Sequence, residues 1–219
     1  MIVAIDGPAG VGKSTVAKLL ASRLGFLYLD TGALYRAVAW GVLRHGIEPA
    51  DVEAVAGQLP KLSLQMDVTN NDVTVFMDGK DVTKELRTPA VSAAASVVSA
   101  IPAVRAWLLP VQRQIGKKGS LVAEGRDVGT KVFPLAPVKF FLEADPTVRA
   151  QRRHHELVAA GHRGAIEQTS ADLAGRDDRD RSRAMAPLIP AEDAHHIDTS
   201  SLSADEVVNR MLPLVTAKL

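Results

Sequence analysis

The stretch of residues 7–15 carries the most specific chemical signal in the sequence, because it fits the phosphate-binding pattern G-x-x-x-x-G-K-[ST]. An apolar run at residues 2–5 precedes it, and a helical apolar pattern follows it. In such a strand–loop–helix unit, backbone N–H groups bind phosphate oxygens, Lys13 reaches the β- and γ-phosphates and Ser14 holds Mg²⁺. The dinucleotide-binding alternative fails, because Thr15 stands where its third glycine belongs.

Two further candidate sites follow apolar runs that predict strands. The first is the segment at residues 30–36, which ends in Arg36, and the second is the segment at residues 124–130, which contains Arg126. The carboxyl ends of strands in an open α/β sheet share one crevice, so both segments are expected beside the phosphate loop. The arginine at this strand end could bind a second phosphate group, and the carboxylates of Glu124 and Asp127 could belong to the ligand shell of a metal ion. Taken alone, each segment fits an ordinary turn with a surface salt bridge equally well.

The last third of the chain is rich in arginine. A solvated, salt-bridged helix would account for this run, since aspartates are interleaved with the arginines. Arginine's planar fork, however, suits bidentate contacts with phosphate. The arginines of this run are Arg149, Arg152, Arg153, Arg163, Arg176, Arg179, Arg181 and Arg183.

The elements that must hold these residues alternate between strand and helix, which predicts a parallel sheet covered on both faces. We expect the first helix to end at Gly25, the second to span residues 31–46 with Thr31 as its N-cap, and the last to open with a capping box at residues 203–206. Pro146 suits the first turn of the helix that follows the fourth strand. The predicted strands are residues 2–5, 26–29, 121–123, 138–142 and 196–198.

One region breaks this alternation. Residues 62–68 and 73–77 have period-two patterns, and Asn70-Asn71-Asp72 between them is a turn signal, so a small antiparallel insertion is predicted. Two helices are expected after it, at residues 90–100 and 102–117, the second kinked at Pro110.

Composition excludes several classes of protein. The 219 residues include no cysteine, which rules out disulfides, thiolate metal sites and a cysteine nucleophile and fits a reducing compartment. The first strand begins at once, which leaves no room for a signal peptide, and the longest weakly polar run, at residues 90–101, is too short to span a membrane. The formal net charge of +1 gives no case for a nucleic-acid or membrane partner.

From end to end the sequence resembles the bacterial cytidylate kinases of the nucleoside monophosphate kinase superfamily. The ordered motifs that carry the resemblance are GPAGVGKST, DTGALYR, the β-rich insertion, EGRDVGT and RDDRDRSR. The resemblance implies a three-layer P-loop kinase fold that transfers the γ-phosphoryl group of MgATP to CMP or dCMP. It also implies one domain, with a core at residues 1–30, 118–150 and 171–219, an NMP-binding region at 31–117 and a short lid at 151–170. A cytoplasmic monomer is expected, with ATP and CMP or dCMP as its partners and Mg²⁺ as its cofactor.

The resemblance also implies roles for individual residues. Ser14 is the expected protein ligand of Mg²⁺, which is held mostly by water and ATP. The ATP-binding residues are Gly7, Pro8, Ala9, Gly10, Val11, Gly12, Lys13, Ser14 and Thr15. The CMP-binding residues are Thr31, Tyr35, Arg36, Ser96, Arg105, Arg126, Asp127, Arg176 and Asp180. The catalytic residues are Lys13, Arg126, Arg176 and Arg183.

Two rival hypotheses remain open on the sequence alone. A kinase for another small acceptor, such as UMP or shikimate, would share the fold and differ only in acceptor choice. A GTP-dependent switch would need a guanine-reading Asn-Lys-x-Asp sequence, and the chain contains none. A zinc site is not expected, because the adjacent pairs His154-His155 and His195-His196 lack metal-ligand spacing.

Overall fold

A computed structural model describes residues 1–69 and 72–219. The expected turn at Asn70-Asn71 lies outside the described residues. The elements in chain order are β1 (Ile2–Asp6), α1 (Lys13–Leu24), β2 (Leu27–Asp30), α2 (Thr31–Arg44), α3 (Val52–Gln58), β3 (Leu64–Thr69), β4 (Asp72–Met77), β5 (Lys80–Asp81), α4 (Pro89–Val98), α5 (Pro102–Gly116), β6 (Leu121–Gly125), β7 (Val138–Glu143), α6 (Pro146–Ala159), α7 (Ile166–Ser182), β8 (His195–Asp198) and α8 (Ala204–Thr216).

The central sheet has five parallel strands in the order β2-β6-β1-β7-β8, which confirms the predicted sheet. The first strand of the chain, β1, therefore lies in the middle. Its last residue, Asp6, is in register with Gly125 of β6 and Phe141 of β7. The carboxyl ends of these strands consequently meet at one edge of the sheet, where the site is expected.

Helices cover both faces of the sheet, as the alternating pattern predicts. Apolar side chains of β1 point alternately to the two faces: Val3 and Ile5 pack with α1 and α8, whereas Ala4 packs with α2, α4 and α5. Because both faces are buried, β1, β6 and β7 are almost continuously apolar rather than amphipathic.

Helix boundaries follow the predictions to within two residues, and the one wrong cap is that of α2. Gly25 ends α1 with φ of 65°, Pro146 opens α6, and Ser203 and Glu206 form the capping box of α8. The expected N-cap of α2, Thr31, is wrong. Asp30 caps that helix, because its carboxylate accepts from the Ala33 N–H at 3.0 Å.

The remaining differences in the helices are small. Helix α2 ends at Arg44, two residues before the predicted glycine at 46. Helix α5 runs through Pro110 to Gly116.

The insertion is antiparallel, as predicted, and packs against α2 through buried residues such as Met66 and Val75. The short third strand, β5, was not predicted, since two residues carry no periodic signal. The expected lid, residues 151–170, comprises the end of α6, the following loop and the first turn of α7.

Among the described residues, no single helix is long and apolar enough to cross a membrane. Within these residues, only α4 and α5 taken as a pair have the length and apolar composition of a membrane span. The axes of these two helices are bent by 102° relative to each other.

Candidate active site

A cleft of about 280 Å³ opens at the carboxyl ends of β1, β2 and β6. Most of the predicted site residues line it. Those that do are Ala9, Gly10, Gly12, Lys13, Ser14, Thr15, Thr31, Tyr35, Arg36, Arg105, Arg126, Asp127, Arg176, Asp180 and Arg183. The sequence motifs of distant segments therefore meet in one place.

The phosphate loop, residues 7–15, has a backbone path that depends on glycine. Gly7, Gly10 and Gly12 have φ of 149°, 79° and 89°, in the region that side chains rarely adopt. A Cβ on Gly7 would lie 2.2 Å from the Leu142 carbonyl oxygen, so no side chain fits there. Helix α1 begins directly after Gly12, so its unpaired N–H groups and positive end face the cleft.

Lys13 is buried at the base of the cleft, where its Nζ donates to the Pro8 carbonyl oxygen at 2.5 Å. Burial, followed by the charges of Arg126 and other nearby groups, lowers the pKa of Lys13 to about 7. An ammonium group this poorly solvated is stabilised by an incoming polyanion.

A buried ion pair supports the phosphate loop from behind. Arg149 of α6 donates to the Asp177 carboxylate of α7 and, through the same nitrogen, to the Ala9 carbonyl oxygen at 3.2 Å. The Ala9 N–H points at the other Asp177 oxygen at 3.4 Å. Sequence reasoning missed this support, since no local pattern links residues 9, 149 and 177.

At the end of β2, Arg36 donates to the Asp30 carboxylate at 2.5 Å. Burial acts to raise the pKa of Asp30, but the Arg36 guanidinium outweighs burial and holds it below its usual value. The Thr31 hydroxyl is not free, because it donates to the Glu124 carbonyl oxygen at 2.8 Å.

Glu124 is a buried carboxylate close to Ser14 and Lys13. Tyr28 Oη donates to its Oε1 at 2.8 Å, and burial together with the charge of Asp30 raises the pKa of Glu124. The Ser14 hydroxyl and this carboxylate thus place two hard oxygen donors at the phosphate loop.

Asp127 is the centre of a second buried group. Arg105 donates to one of its oxygens, and an Arg183 nitrogen lies 3.5 Å from the other. The Arg105 guanidinium also stacks over the Tyr35 ring at 5.3 Å. Residues from α2, α5, the turn after β6 and the end of α7 meet in this group.

Asp180 pairs with two arginines, Arg126 at 2.9 Å and Arg183 at 3.3 Å. Burial acts to raise its pKa, but Arg126 and Arg176 outweigh burial and hold it low. Burial and the neighbouring Arg126 lower the pKa of Arg176 to about 10. Arg176 Nε is buried and has no hydrogen-bond partner within residues 1–69 and 72–219.

We call the set Asp30, Arg36, Arg105, Arg126, Asp127, Asp180 and Arg183 the arginine–carboxylate wall. It faces the phosphate loop across the cleft.

Four predicted site residues are not among those that line the cleft. Ser96 is buried, and its hydroxyl accepts from Arg179 Nε at 3.1 Å. Gly7, Pro8 and Val11 also do not line the cleft, and they belong to the backbone of the phosphate loop.

The cleft also contains residues that received no role from the sequence. Arg87 precedes α4, Ser92 and Ser99 lie in and just after α4, and Arg153 and Glu156 extend from α6. None of them was predicted as a ligand or catalytic group, although Arg153 belonged to the arginine-rich run and Arg153 and Glu156 lie in the predicted lid, residues 151–170.

A phosphate loop at the centre of a parallel sheet, facing an arginine-lined second wall, defines a P-loop phosphotransferase. Comparisons with solved structures agree on the fold. An uncharacterized protein from Eubacterium ventriosum aligns with a TM-score of 0.55 at 13% identity, covering 99% of this chain and 98% of that one. A shikimate kinase from Bacteroides thetaiotaomicron aligns with a TM-score of 0.50 at 12% identity, with the same coverage.

Sequence comparisons are more specific. The family model for cytidylate kinase matches residues 3–217. A cytidylate kinase from Pelotomaculum thermopropionicum is 48% identical over 217 residues, covering 98% of this chain and 96% of that protein. One from Geobacter sulfurreducens is 46% identical over 215 residues, covering 98% and 92%. The chain belongs to the cytidylate kinase family. It is a nucleoside monophosphate kinase, an ATP-dependent phosphotransferase that acts on CMP or dCMP.

Proposed function

We propose that the two walls of the cleft divide the substrates between them, with ATP on the phosphate loop and CMP or dCMP on the arginine–carboxylate wall. The observation that carries this proposal is that Lys13 and the arginines from distant segments line one cleft. Such an arrangement brings two polyanions together and offsets their repulsion.

On the donor side, the backbone of residues 7–15 and Lys13 would hold the β- and γ-phosphates of ATP. The three glycines with positive φ and the helix end behind them support this role. Lys13 would follow the γ-phosphoryl group during transfer.

On the acceptor side, Arg36 and Arg126 would hold the CMP phosphate, with Thr31 and Tyr35 beside them. Each arginine now pairs with a carboxylate, so the arriving phosphate would exchange with Asp30 or Asp180.

The cytosine edge would be read by Arg105 and Asp127. Asp127 can accept from the exocyclic amine, which uracil lacks. Ser96 would join them only when Arg179 releases its hydroxyl.

The chemistry requires no general base, because the acceptor is a phosphate monoester with a second pKa of about 6 and is mostly dianionic at neutral pH. What remains is positioning and charge neutralisation in a loose transition state. Arg176 and Arg183 are suited to this, and Asp180 would contact the ribose. Each of these arginines has a buried nitrogen without a hydrogen-bond partner among the described residues, Nε in Arg176 and Nη2 in Arg183.

Magnesium would be bound at the Ser14 hydroxyl, with the Glu124 carboxylate nearby. Both donors are oxygens, which Mg²⁺ prefers, so the residues present fit the ion. No cluster of three metal-ligating side chains occurs within residues 1–69 and 72–219, so water and ATP would supply the other ligands. When bound, Mg²⁺ neutralises charge on the β- and γ-phosphates.

We also propose that residues 151–170 act as a lid over the core and the NMP-binding region, and that the protein is a cytoplasmic monomer. A closing lid would exclude water until both substrates are bound, so ATP hydrolysis without CMP should be slow. Fast hydrolysis of ATP in the absence of CMP would contradict the proposal that residues 151–170 exclude water until both substrates are bound.

The direct test offers ATP and Mg²⁺ with CMP, dCMP, UMP, AMP, GMP and shikimate separately and follows ADP release. Turnover with CMP and dCMP alone is the expected result, and Lys13→Met is the inactive control. Turnover with another acceptor would be compatible with ATP binding at the phosphate loop, but it would contradict the assignment of Arg105 and Asp127 as the residues that read cytosine. Tight GTP binding with no turnover on any acceptor would favour the switch hypothesis.

A further inference from the structure

Asp6 is a buried carboxylate for which the proposed mechanism has no role. It is the last residue of β1 and immediately precedes the phosphate loop. Its two carboxylate oxygens bind the segment after β6. One oxygen accepts from the Val128 N–H at 2.8 Å, and the other accepts from the Gly129 N–H at 2.7 Å.

These two N–H groups belong to the first residues after Arg126 and Asp127. A short turn, Val128–Val132, begins there, and both of its first residues are buried. Asp127 has φ of −146° and ψ of 26°, which is neither regular strand nor helix, so the β6 ladder does not continue through it. The turn has hydrogen bonds of its own, and Val128 packs in the core, but the Asp6 carboxylate is what binds the first two N–H groups after the wall residues to the end of β1.

The fit around this contact is tight. A Cβ on Gly129 would lie 3.4 Å from Asp6 Oδ2 and 3.1 Å from Lys139 Cδ. The backbone of the turn is therefore held against β1 with no room for an intervening water. Since β1 is paired on both sides, its end is a fixed reference point.

Keeping a carboxylate here is costly. Burial raises the pKa of Asp6 to about 6, while the Val128 and Gly129 N–H groups act in the opposite direction. An uncharged residue would avoid the desolvation of a buried charge, so the carboxylate indicates a need to hold two backbone donors at once.

We propose that Asp6 is a positioning residue for the acceptor side, which sets the places of Arg126 and Asp127 by binding the backbone that follows them. The inference rests on the proposed function of those two residues. It links the strand that leads into the phosphate loop with the wall that would bind CMP.

A purely structural role for Asp6 predicts a different outcome. Because Asp6 adjoins Gly7, a general loosening at this point would disturb the phosphate loop first and raise KM for ATP. If Asp6 acts through the Val128 and Gly129 N–H groups, its substitution should disturb the acceptor side and leave KM for ATP unchanged. Separate measurement of the two KM values distinguishes these outcomes.

The experiment compares Asp6→Asn with the wild type. Asparagine keeps the shape but offers one acceptor oxygen and one NH₂ donor, so one of the two backbone N–H groups loses its partner. We expect KM for CMP to rise and kcat to fall, with kcat/KM for CMP reduced about tenfold to a hundredfold. The ratio of CMP to UMP turnover should also fall, and KM for ATP should stay within a factor of about two.

The matched control is Asp51→Asn, because Asp51 also binds a backbone N–H, that of Ala54 at 3.0 Å, but is exposed at the start of α3. It should keep wild-type values for both substrates. Equal losses for ATP and CMP in Asp6→Asn, or no loss for either, would overturn the proposal. If the wild type itself phosphorylates no CMP, the proposed function fails instead.

A second variant covers the case in which Asp6→Asn does not fold. Gly129→Ala acts from the side of the turn, because the added Cβ would lie 3.1 Å from Lys139 Cδ and 3.4 Å from Asp6 Oδ2, so that the turn must shift away from β1 or these neighbours must move. The same selective loss for CMP is expected, and smaller in size. Wild-type kinetics for CMP in this variant would show that the position of the turn does not matter, and would overturn the proposal.

Discussion

The phosphate loop and the arginine–carboxylate wall face each other across one cleft but are built differently. The loop is nine consecutive residues whose proposed binding groups are mostly backbone N–H groups, and its shape follows from three glycines and the strand beside them. The wall consists of arginine and aspartate side chains from the end of β2, α2, α5, the turn after β6 and the last part of α7 with the residue that follows it.

The two walls are also held ready for substrate in different ways. The loop is fixed by the path of its backbone, whereas each arginine of the wall is paired with a carboxylate of the wall. Ion pairing keeps long flexible side chains in place without substrate, and a phosphate can then replace the carboxylate. Changes to the loop should therefore affect donor binding, and changes to the wall should affect acceptor choice and rate.

The largest expected effect is that of Arg183→Ala on catalysis. If Arg183 neutralises charge on the transferring phosphate, kcat should fall by about 10³-fold or more, with a much smaller loss of CMP affinity. Single-turnover measurement of phosphoryl transfer, with CMP binding measured separately, tests this. A variant with wild-type kcat would remove Arg183 from the catalytic set.

Next in size is the effect of Asp177→Asn on the support of the loop. The substitution leaves Arg149 buried without its charge partner, which costs about 3 kcal/mol or more of unfolding free energy. Urea denaturation measures that loss, and KM for ATP should rise because the Ala9 contacts loosen. Asp178→Asn is the control, since that neighbour is exposed. Equal stability of the two variants would show that the Arg149–Asp177 ion pair does not stabilise the fold at the phosphate loop.

A smaller effect is expected on base selectivity. Asp127→Asn replaces an acceptor with a group that can donate to uracil, so the ratio of kcat/KM for CMP to that for UMP should fall about tenfold to a hundredfold. An unchanged ratio would show that Asp127 does not read the base. KM for ATP serves as the internal reference and should not change.

The smallest expected effect is the uptake of a proton by Lys13 when ATP binds. With the pKa of Lys13 lowered to about 7, about nine tenths of its side chains are neutral at pH 8 before substrate binds. Bound phosphates favour the charged form and raise this pKa. ATP binding should therefore take up close to one proton at pH 8 and little at pH 6, as measured by calorimetry in buffers of different ionisation enthalpy.

The control for the proton uptake is Lys13→Arg, in which the side chain is charged at both pH values. Uptake should disappear in this variant. Persistent uptake would assign the proton to another group.

Sequence reasoning succeeded where the signal is local. The phosphate loop, the five strands and the capping box each occupy a few consecutive residues with their own pattern, and the structure has all of them. It failed at the start of α2, where two adjacent residues could both cap the helix. The choice of Asp30 depends on Thr31 bonding to Glu124, which is distant in sequence.

Long-range pairing was the other source of error. The bonds of Arg149 with Asp177, Ser96 with Arg179, and Asp6 with the turn after β6 join segments 28, 83 and more than 120 residues apart. No spacing rule connects such residues, because their proximity is a result of the fold. The sequence predicted most of the residues that form the wall, but it could not predict which arginine pairs with which carboxylate.

The central position of β1 has a consequence for biosynthesis. The ribosome makes this strand before the other four strands of the central sheet, yet its two neighbours begin at Leu121 and Val138. More than half of the chain must therefore be made before β1 gains any partner in the sheet, so folding depends on contacts of long sequence separation and is expected to be slow. A nascent chain that stops before Leu121 contains the whole phosphate-loop motif but neither of the strands that pair with β1 in the central sheet.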